Sequence, residues 1–441
     1  MLKGYAKNNS SSSLVDAVSF FCQMRNDSVQ PVVYNFTYLL KLCGDNSDLR
    51  WGKLIHAQLI LNGFSSNLFA MTGVVNMYAK CRQIHEAYKM FDRMPVRDVV
   101  SWNTIIAAYA QNGLSSVALE LLLRMQEEGK RPDSITVVTI LPACADIVSL
   151  RIGKSIHAYV LRAGFESLVN VSTALVDMYF KCEAVGIARL IFDRMSNRNV
   201  VSWNSVIDGY VQSGDVEEAM SVFQMMLDQG VEPTNVTVMG ALHACADLGD
   251  LERGMFIHKL VDEFKINSDV SVMNSLISMY SKCKKVDTAA AIFERMKVKT
   301  LVSWNAMILG LSQNGRVYEA LNYFVEMQWQ NIKPDSFSLV SVVPALAELS
   351  VVRQAKWIHG LVIRNYFDDN VYVMTALVDM YAKCGAVHTA RKLFEMMNER
   401  HVTTWNAMID GPRSLHKNYS RMLGCEEMWT SQRGNTKEEA S

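Results

Sequence analysis

Two residue types able to hold a metal recur through the sequence at a fixed step. His56, His157, His258 and His359 are 101 residues apart, and Cys81, Cys182, Cys283 and Cys384 keep the same step. Imidazole and thiolate are the usual zinc donors, and a centre for hydrolysis or deamination gathers three or four ligands around one ion at about 2 Å. The pattern does not meet that requirement. No pair of the nine cysteines has Cys-x-x-Cys spacing and no His-x-Glu occurs, so both pieces of a zinc-deaminase signature are missing. Residues in one phase of so long a repeat also stand several packed helices apart, tens of ångströms at about 8–10 Å per helix. The histidines are therefore read as structural, and the cysteines as small buried hydrophobes of a reducing compartment. Asp247, Asp250 and Glu252 are neighbouring carboxylates, but Gly249 between them marks a solvated turn, not an acid–base pair. With no activated nucleophile, metal cluster or phosphate-binding loop, the chain is expected to be no enzyme and to use no metal or cofactor.

A third recurrence offers recognition chemistry. Asn103, Asn204, Asn305 and Asn406 each follow a tryptophan, again 101 residues apart. An asparagine amide has two donor hydrogens and an acceptor oxygen. It can cap free amides at a helix start or meet the polar edge of a ligand. The surrounding elements decide which. Trp102, Ile105, Ile106, Tyr109 and Ala110 fall on one helical face, Asn112-Gly113 makes a turn, and Ala118, Leu121, Leu122 and Met125 form a second apolar stripe. Gly129 and Pro132 end it. Each block thus divides into three helical hairpins of 35, 35 and 31 residues, at 99–133, 134–168 and 169–199 in the second block. Pro31, Pro132, Pro233 and Pro334 hold the same phase.

One hairpin cannot bury both of its stripes, so neighbours must stack. This predicts an all-α fold, an α-solenoid of helix-turn-helix repeats with a continuous core. Residues 33–401 accommodate eleven complete units. A partial unit is expected in 1–32 and the start of another in 402–411. Residues 412–441 form a non-repeat tail, expected to be disordered, because Pro412 stands where Tyr109 and Tyr210 stand in their units.

The 441 residues include 44 Lys and Arg against 44 Asp and Glu, a formal charge of zero. That excludes a generic polyanion binder, whose affinity grows with the number of phosphates its basic residues neutralise. Nucleic-acid recognition, if present, must come from side chains along one face. Apolar residues make up 50% and charged ones 20%, the balance of a folded protein. No apolar run approaches the roughly 18 residues of a membrane span, and the N-terminus carries no readable import signal.

The units VVSWNTIIAAYAQNGLSSVALELLLRMQEEGKRPD and LVSWNAMILGLSQNGRVYEALNYFVEMQWQNIKPD resemble pentatricopeptide repeats of the P type. VMGALHACADLGDLERGMFIHKLVDEFKINSD resembles the longer L type, and VNVSTALVDMYFKCEAVGIARLIFDRMSNRN the short S type. The 35-35-31 order is similar to that of the plant PLS subfamily, and the likeness covers residues 1–411. The resemblance implies single-stranded RNA binding at about one base per repeat, read by the fifth and last residues of each unit. Both are expected on the concave edge, with a neighbouring apolar side chain to sandwich the base.

Carried onto this chain, the resemblance implies a guanine reader in Thr72 with Asp98 and uracil readers in Asn103 with Asp133 and Asn305 with Asp335. Thr173 with Asn199 is similar to an adenine reader. Asn204 with Thr234 and Asn274 with Thr300 lean toward pyrimidine. Thr375 with His401 is assigned no base. The L-type pairs, Val138 with Leu168, Met239 with Asp269 and Val340 with Asn370, are expected to space the RNA more than read it.

The same resemblance implies site recognition for C-to-U RNA editing in a plant organelle, the chloroplast or alternatively the mitochondrion. The implied partners are single-stranded organellar RNA and a separate cytidine deaminase or editing accessory protein, with no membrane and no small-molecule substrate. Many relatives of this type continue into accessory helical motifs and a deaminase-like domain, and this sequence shows neither. Met1 falls inside the first helix of a P-type unit, which leaves that end without a sealing cap. A truncated form of a deaminase-bearing editing factor is thus one alternative. A tetratricopeptide-like protein-binding scaffold is the other, disfavoured by the recurring Asn or Thr with Asp or Asn.

Overall fold

The structure, a computed structural model, describes residues 11–409 except 267, 350 and 351. The expectations for the first ten residues, for Pro412 and for the tail 412–441 lie outside the described residues. The elements among the described residues are helices. The chain divides into two compact units, with the boundary after Val222. The first holds α1 (Ser11–Asn26), α2 (Val33–Asp45), α3 (Leu49–Leu61), α4 (Leu68–Lys80), α5 (Ile84–Asp92), α6 (Val99–Gln111) and α7 (Ser115–Glu127). It continues through α8 (Ser134–Asp146), α9 (Leu150–Ala163), α10 (Val169–Lys181), α11 (Val185–Arg194) and α12 (Val200–Gln212). Helix α13 (Val216–Asp228) runs across the boundary. The second unit holds α14 (Asn235–Leu248), α15 (Leu251–Glu263), α16 (Val270–Lys282), α17 (Val286–Arg295), α18 (Leu301–Gln313) and α19 (Val317–Trp329). It ends with α20 (Ser336–Leu349), α21 (Val352–Arg364), α22 (Val371–Lys383) and α23 (Val387–Met396), and residues 402–409 begin a further helix.

Helices α6 and α7 show why the sequence folds into hairpins. Trp102, Ile105 and Ile106 are buried on one helix and Ala118, Leu121, Leu122 and Met125 on the other. Gly113 turns the chain between them at φ 74°, a left-handed conformation that costs glycine nothing. Within each compact unit the first helices of successive hairpins lie side by side in chain order. Each second helix packs on its own partner and on the first helix of the next hairpin. This buries both apolar stripes of every hairpin, the arrangement of an α-solenoid.

The 31-residue units are short because their second helix loses a turn. Helices α5, α11, α17 and α23 have 9 or 10 residues, against 13 in α7. A basic side chain closes the shortened end. The Arg97 guanidinium donates to the carbonyls of Phe91 at 3.2 Å and Asp92 at 2.8 Å and lies over the Phe91 ring. That ring meets the fully buried Trp102 edge-on at 4.8 Å. Arg198 with Phe192 and Trp203, and Lys299 with Phe293 and Trp304, repeat the stack. Trp102, Trp203 and Trp304 are therefore core, as their place on the apolar stripe implies, whereas Trp405, near the end of the described residues, is 52% exposed.

The same seam shows size matching. A Cβ built on Gly209 of α12 would lie 2.3 Å from the Phe180 ring of α10. The equivalent positions are Ala108 and Ala79 one block earlier and Gly310 and Ser281 one block later. Prolines are better tolerated than their chemistry alone implies, since Pro142 sits inside α8 and Pro344 inside α20.

The in-phase histidines have local partners. His56, His157, His258 and His359 each place Nδ1 against the hydroxyl of Tyr78, Tyr179, Tyr280 or Tyr381, at 3.1, 2.9, 2.9 and 3.2 Å. Each contact ties a second helix to the first helix of the next hairpin. Burial lowers the pKa of all four imidazoles, so the folded chain holds them neutral. The unfolded chain takes up protons once the pH falls through about 6.5, so these groups favour unfolding as the pH drops below that value. His157→Gln is expected to flatten part of the fall in stability between pH 7 and pH 5, read from urea unfolding at each pH. It should also leave melting insensitive to a chelator. An unchanged pH profile or a chelator-dependent melt would contradict the structural role.

Cys43, Cys144 and Cys245 are buried, and desolvation pushes their thiols up to about 12. They stay protonated and unreactive. Asp250 caps α15 by accepting from the Arg253 amide at 3.0 Å, and Asp247 bonds Lys282 at 2.7 Å. This carboxylate cluster is turn and surface structure. Among the described residues no three His, Cys, Asp or Glu side chains converge as a metal site would need, and no helix is long and apolar enough to cross a membrane.

Candidate nucleic-acid interface

The helix starts settle what the recurring polar pairs do locally. The last residue of a hairpin is the N-cap of the next first helix. Asp98, Asp133 and Asn199 take extended backbone conformations and accept from the amides of Ser101, Thr136 and Ser202 at 2.8, 2.8 and 2.9 Å. Asp335 accepts from the Ser338 amide at 2.8 Å. Thr234 and Thr300 occupy the same cap position, their hydroxyls 3.1 Å from those of Thr237 and Ser303. Capping is thus the work of the terminal residue. Asn103, Asn204 and Asn305, for which capping was the plain reading, lie at the fifth residue inside their helices.

In the Asn103 and Asn305 pairs the structure joins the partners directly. Asn103 Nδ2 donates to Asp133 Oδ1 at 3.0 Å, and Asn305 Nδ2 donates to Asp335 Oδ1 at 3.1 Å. The Thr136 hydroxyl lies 2.6 Å from Asn103 Oδ1, and the Ser338 hydroxyl 2.6 Å from Asn305 Oδ1. Burial raises the Asp133 and Asp335 carboxyls. The donors on Thr136 and Asn103, or on Ser338 and Asn305, outweigh it, and both pKa values lie below the usual carboxylate value. Both acids stay ionised at neutral pH.

The Thr72 hydroxyl turns back to the Leu68 carbonyl of its own helix at 2.9 Å. Thr173 Oγ1 and Asn274 Oδ1 are buried without a hydrogen-bond partner. Asn204 belongs to the first compact unit and Thr234 to the second.

Two surface troughs gather these residues, one in each compact unit. In the first, about 890 Å³ in volume, Thr72, Asp98, Asn103 and Asp133 face one space between α2, α4, α6 and α8. In the second, about 660 Å³, Asn274, Thr300, Asn305 and Asp335 do the same across α14, α16, α18 and α20. Thr173 and Asn199 line neither.

Each trough also carries exposed apolar side chains from the second helical position: Phe69, Val100 and Ile135 in the first, Val302 and Phe337 in the second. Sequence reasoning called for an apolar neighbour without locating it. The signal was present, since these residues fall off the buried stripe of their helices. Lys41 and Lys80 also line the first trough, Lys80 in an ion pair with Asp45. Polar edges, apolar faces and a few cations along one channel can accept flat heterocycles on a charged backbone.

Stacked α-hairpins with capped polar pairs at several of their seams define a helical-repeat protein. The chain belongs to the pentatricopeptide repeat family. The family model described as the PPR repeat family matches residues 97–146, 198–247 and 299–348, and the model described as the PPR repeat matches 69–99, 271–301 and 372–402. The chain is 62% identical over 411 residues to the chloroplastic pentatricopeptide repeat-containing protein At1g11290 of Arabidopsis thaliana, covering 93% of this chain and 50% of that one. It is 35% identical to the mitochondrial pentatricopeptide repeat-containing protein At2g03380 of the same plant, covering 93% and 59%. The chain spans about half the length of the curated relatives it matches. Its fold is similar to the crystal structure of the pentatricopeptide repeat protein PPR10 in complex with an 18-nt psaJ RNA element, with a TM-score of 0.67 and 19% identity over 92% of this chain and 65% of that one.

Proposed function

We propose that this chain is a sequence-specific reader of single-stranded RNA in a plant organelle, the chloroplast. It recognises the segment beside a cytidine edited to uridine, and the deaminase is supplied in trans. The observation that carries the reading is the bonded pair at the troughs. Asn103 with Asp133, and Asn305 with Asp335, line the two troughs with hydrogen-bonding capacity left over. Such capacity is of use to a base edge. The chloroplast assignment draws on the At1g11290 relative, and the RNA assignment on the complex formed by the PPR10 relative.

In this reading residues 33–401 are eleven PLS-type units along one RNA strand, with the N-terminal units toward its 5′ end. Thr72 with Asp98 reads guanine. Asn103 with Asp133 and Asn305 with Asp335 read uracil. Thr173 with Asn199 reads adenine, and Asn204 with Thr234 and Asn274 with Thr300 take pyrimidines.

Selection from a randomised single-stranded RNA pool on the full chain tests the reading. The expected motif, 5′ to 3′, is guanine, uracil, any base, adenine, pyrimidine, any base, pyrimidine, uracil. A folded, helical protein that enriches no motif would favour the protein-binding scaffold.

A further inference from the structure

Beneath each expected reading pair lies a third polar group. Ser101, Thr136, Ser202, Thr237, Ser303 and Ser338 stand at the third position of the helix that follows the pair, each no more than 1% exposed. They follow units of the 35-residue P type and the 31-residue S type. After the L-type units the same position holds Ala70, Val171, Val272 or Val373, also buried. A hydroxyl therefore follows the P-type and S-type units, Thr404 after the unassigned Thr375 pair included, and a hydrocarbon follows the L-type units. Helix capping alone does not call for this division. Asp269 and Asn370 cap their helices through backbone amides, with valine at the third position.

The geometry shows what the hydroxyl does. Thr136 Oγ1 accepts from the Asp133 amide at 3.1 Å and lies within donating distance of Asn103 Oδ1 at 2.6 Å and Asp133 Oδ1 at 2.9 Å. Ser338 makes the same three contacts with Asp335 and Asn305, at 3.2, 2.6 and 2.7 Å. An amide that gives one N–H to the carboxylate and takes the hydroxyl proton on its oxygen can be neither flipped nor rotated cheaply. One N–H and one lone pair of the asparagine are left for a base. The Asn274 site is the contrast. There the Ser303 hydroxyl pairs with Thr300 at 3.1 Å, and Asn274 Oδ1 is buried with no donor.

We propose that Thr136 and Ser338 are positioning residues for base selection, fixing the sense of the Asn103 and Asn305 amides from the helix that follows each pair. This inference rests on the RNA-reading function proposed above, and it makes specificity a property of three residues in two consecutive hairpins. It also makes Asn274 a less selective reader than Asn103 or Asn305.

The test uses the full chain with Thr136→Val and Thr136→Ser, and RNAs that differ only at the nucleotide assigned to Asn103. Valine should be accommodated, since Val171, Val272 and Val373 occupy the same position in this chain. Thr136→Val is expected to reduce the preference for uracil over guanine at that nucleotide by about tenfold, the effect of leaving one buried amide oxygen without its donor. Discrimination at the other nucleotides should be unchanged, and Thr136→Ser should restore the preference. Ser338→Val should act in the same way six nucleotides further toward the 3′ end. A preference that survives Thr136→Val and Ser338→Val would overturn the inference and leave the RNA reading standing. An equal loss of affinity for every RNA would also overturn it, by showing a structural role alone. A wild-type chain with no preference at that nucleotide would remove the inference together with the assignment it rests on.

Discussion

Gly209→Ala is expected to destabilise the chain by about 1–3 kcal/mol, against the usual gain of nearly 1 kcal/mol when alanine replaces glycine inside a helix. The new methyl would sit 2.3 Å from one carbon of the Phe180 ring and 2.4 and 2.7 Å from two others. The atoms met are the base of the ring, Cγ and both Cδ, so a small rotation does not clear them. Phe180 is 6% exposed and meets Tyr210 edge-on at 5.1 Å. The cost should disappear in a Phe180→Ala background, where the two alanines reproduce the Ala79 and Ala108 pair of the preceding block. Urea unfolding of the two single variants and the double variant gives the coupling directly. If Gly209→Ala is as stable as the parent, or equally damaging with and without the ring, the size-matching account fails.

Asn305→Thr should move the preferred base at one RNA position from uracil toward guanine by about tenfold, with helix content unchanged. The substitution removes the amide bond to Asp335 and leaves the Asp335 cap on α20, because that cap bonds the Ser338 backbone amide. A threonine at this place in the helix has a precedent in Thr72, whose hydroxyl bonds the carbonyl four residues back. Paired with an aspartate, it reproduces Thr72 with Asp98. Binding to two RNAs that differ at that one nucleotide gives the ratio, and circular dichroism gives the helix content. Unfolding in place of a changed ratio would make Asn305 a structural residue.

The fold was legible because a strict period exposes the buried stripes of every hairpin at once. Trp102, Trp203 and Trp304 fix the register, and their complete burial follows from their place on the stripe. Of the candidate site, the sequence made the residues of the bonded pairs legible, Asn103 with Asp133 and Asn305 with Asp335, and their local roles less so. Asn103 and Asp133 both have side chains able to cap, and the sequence does not say at which of them the helix begins. The structure starts it after Asp98 and after Asp133, which makes the last residue of a hairpin the cap and the fifth an interior residue.

Contacts between hairpins were the least readable. His157 meets Tyr179 across 22 residues, and Thr136 reaches Asn103 across 33. Both need the packing register of neighbouring helices, which spacing within one helix does not contain. Pro142 and Pro344 show a further limit. The lost donor and the ring clash are local penalties, and the packing of α8 and α20 outweighs them.

Under the proposed RNA reading the terminal residue both caps a helix and selects a base, which bears on how such a protein would change its target. Asp98, Asp133, Asn199, Thr234, Thr300 and Asp335 belong to the small group of residues that cap helices well, and exchanges among them alter stability by only a few tenths of a kcal/mol. The letters available at this place are therefore nearly interchangeable for folding. A lineage can drift from one target to another through intermediates that all fold. An aliphatic letter falls outside that vocabulary. Leu168 makes no side-chain cap, and the hairpin it closes is one of those expected to read weakly, so one substitution there gives up stability and recognition together.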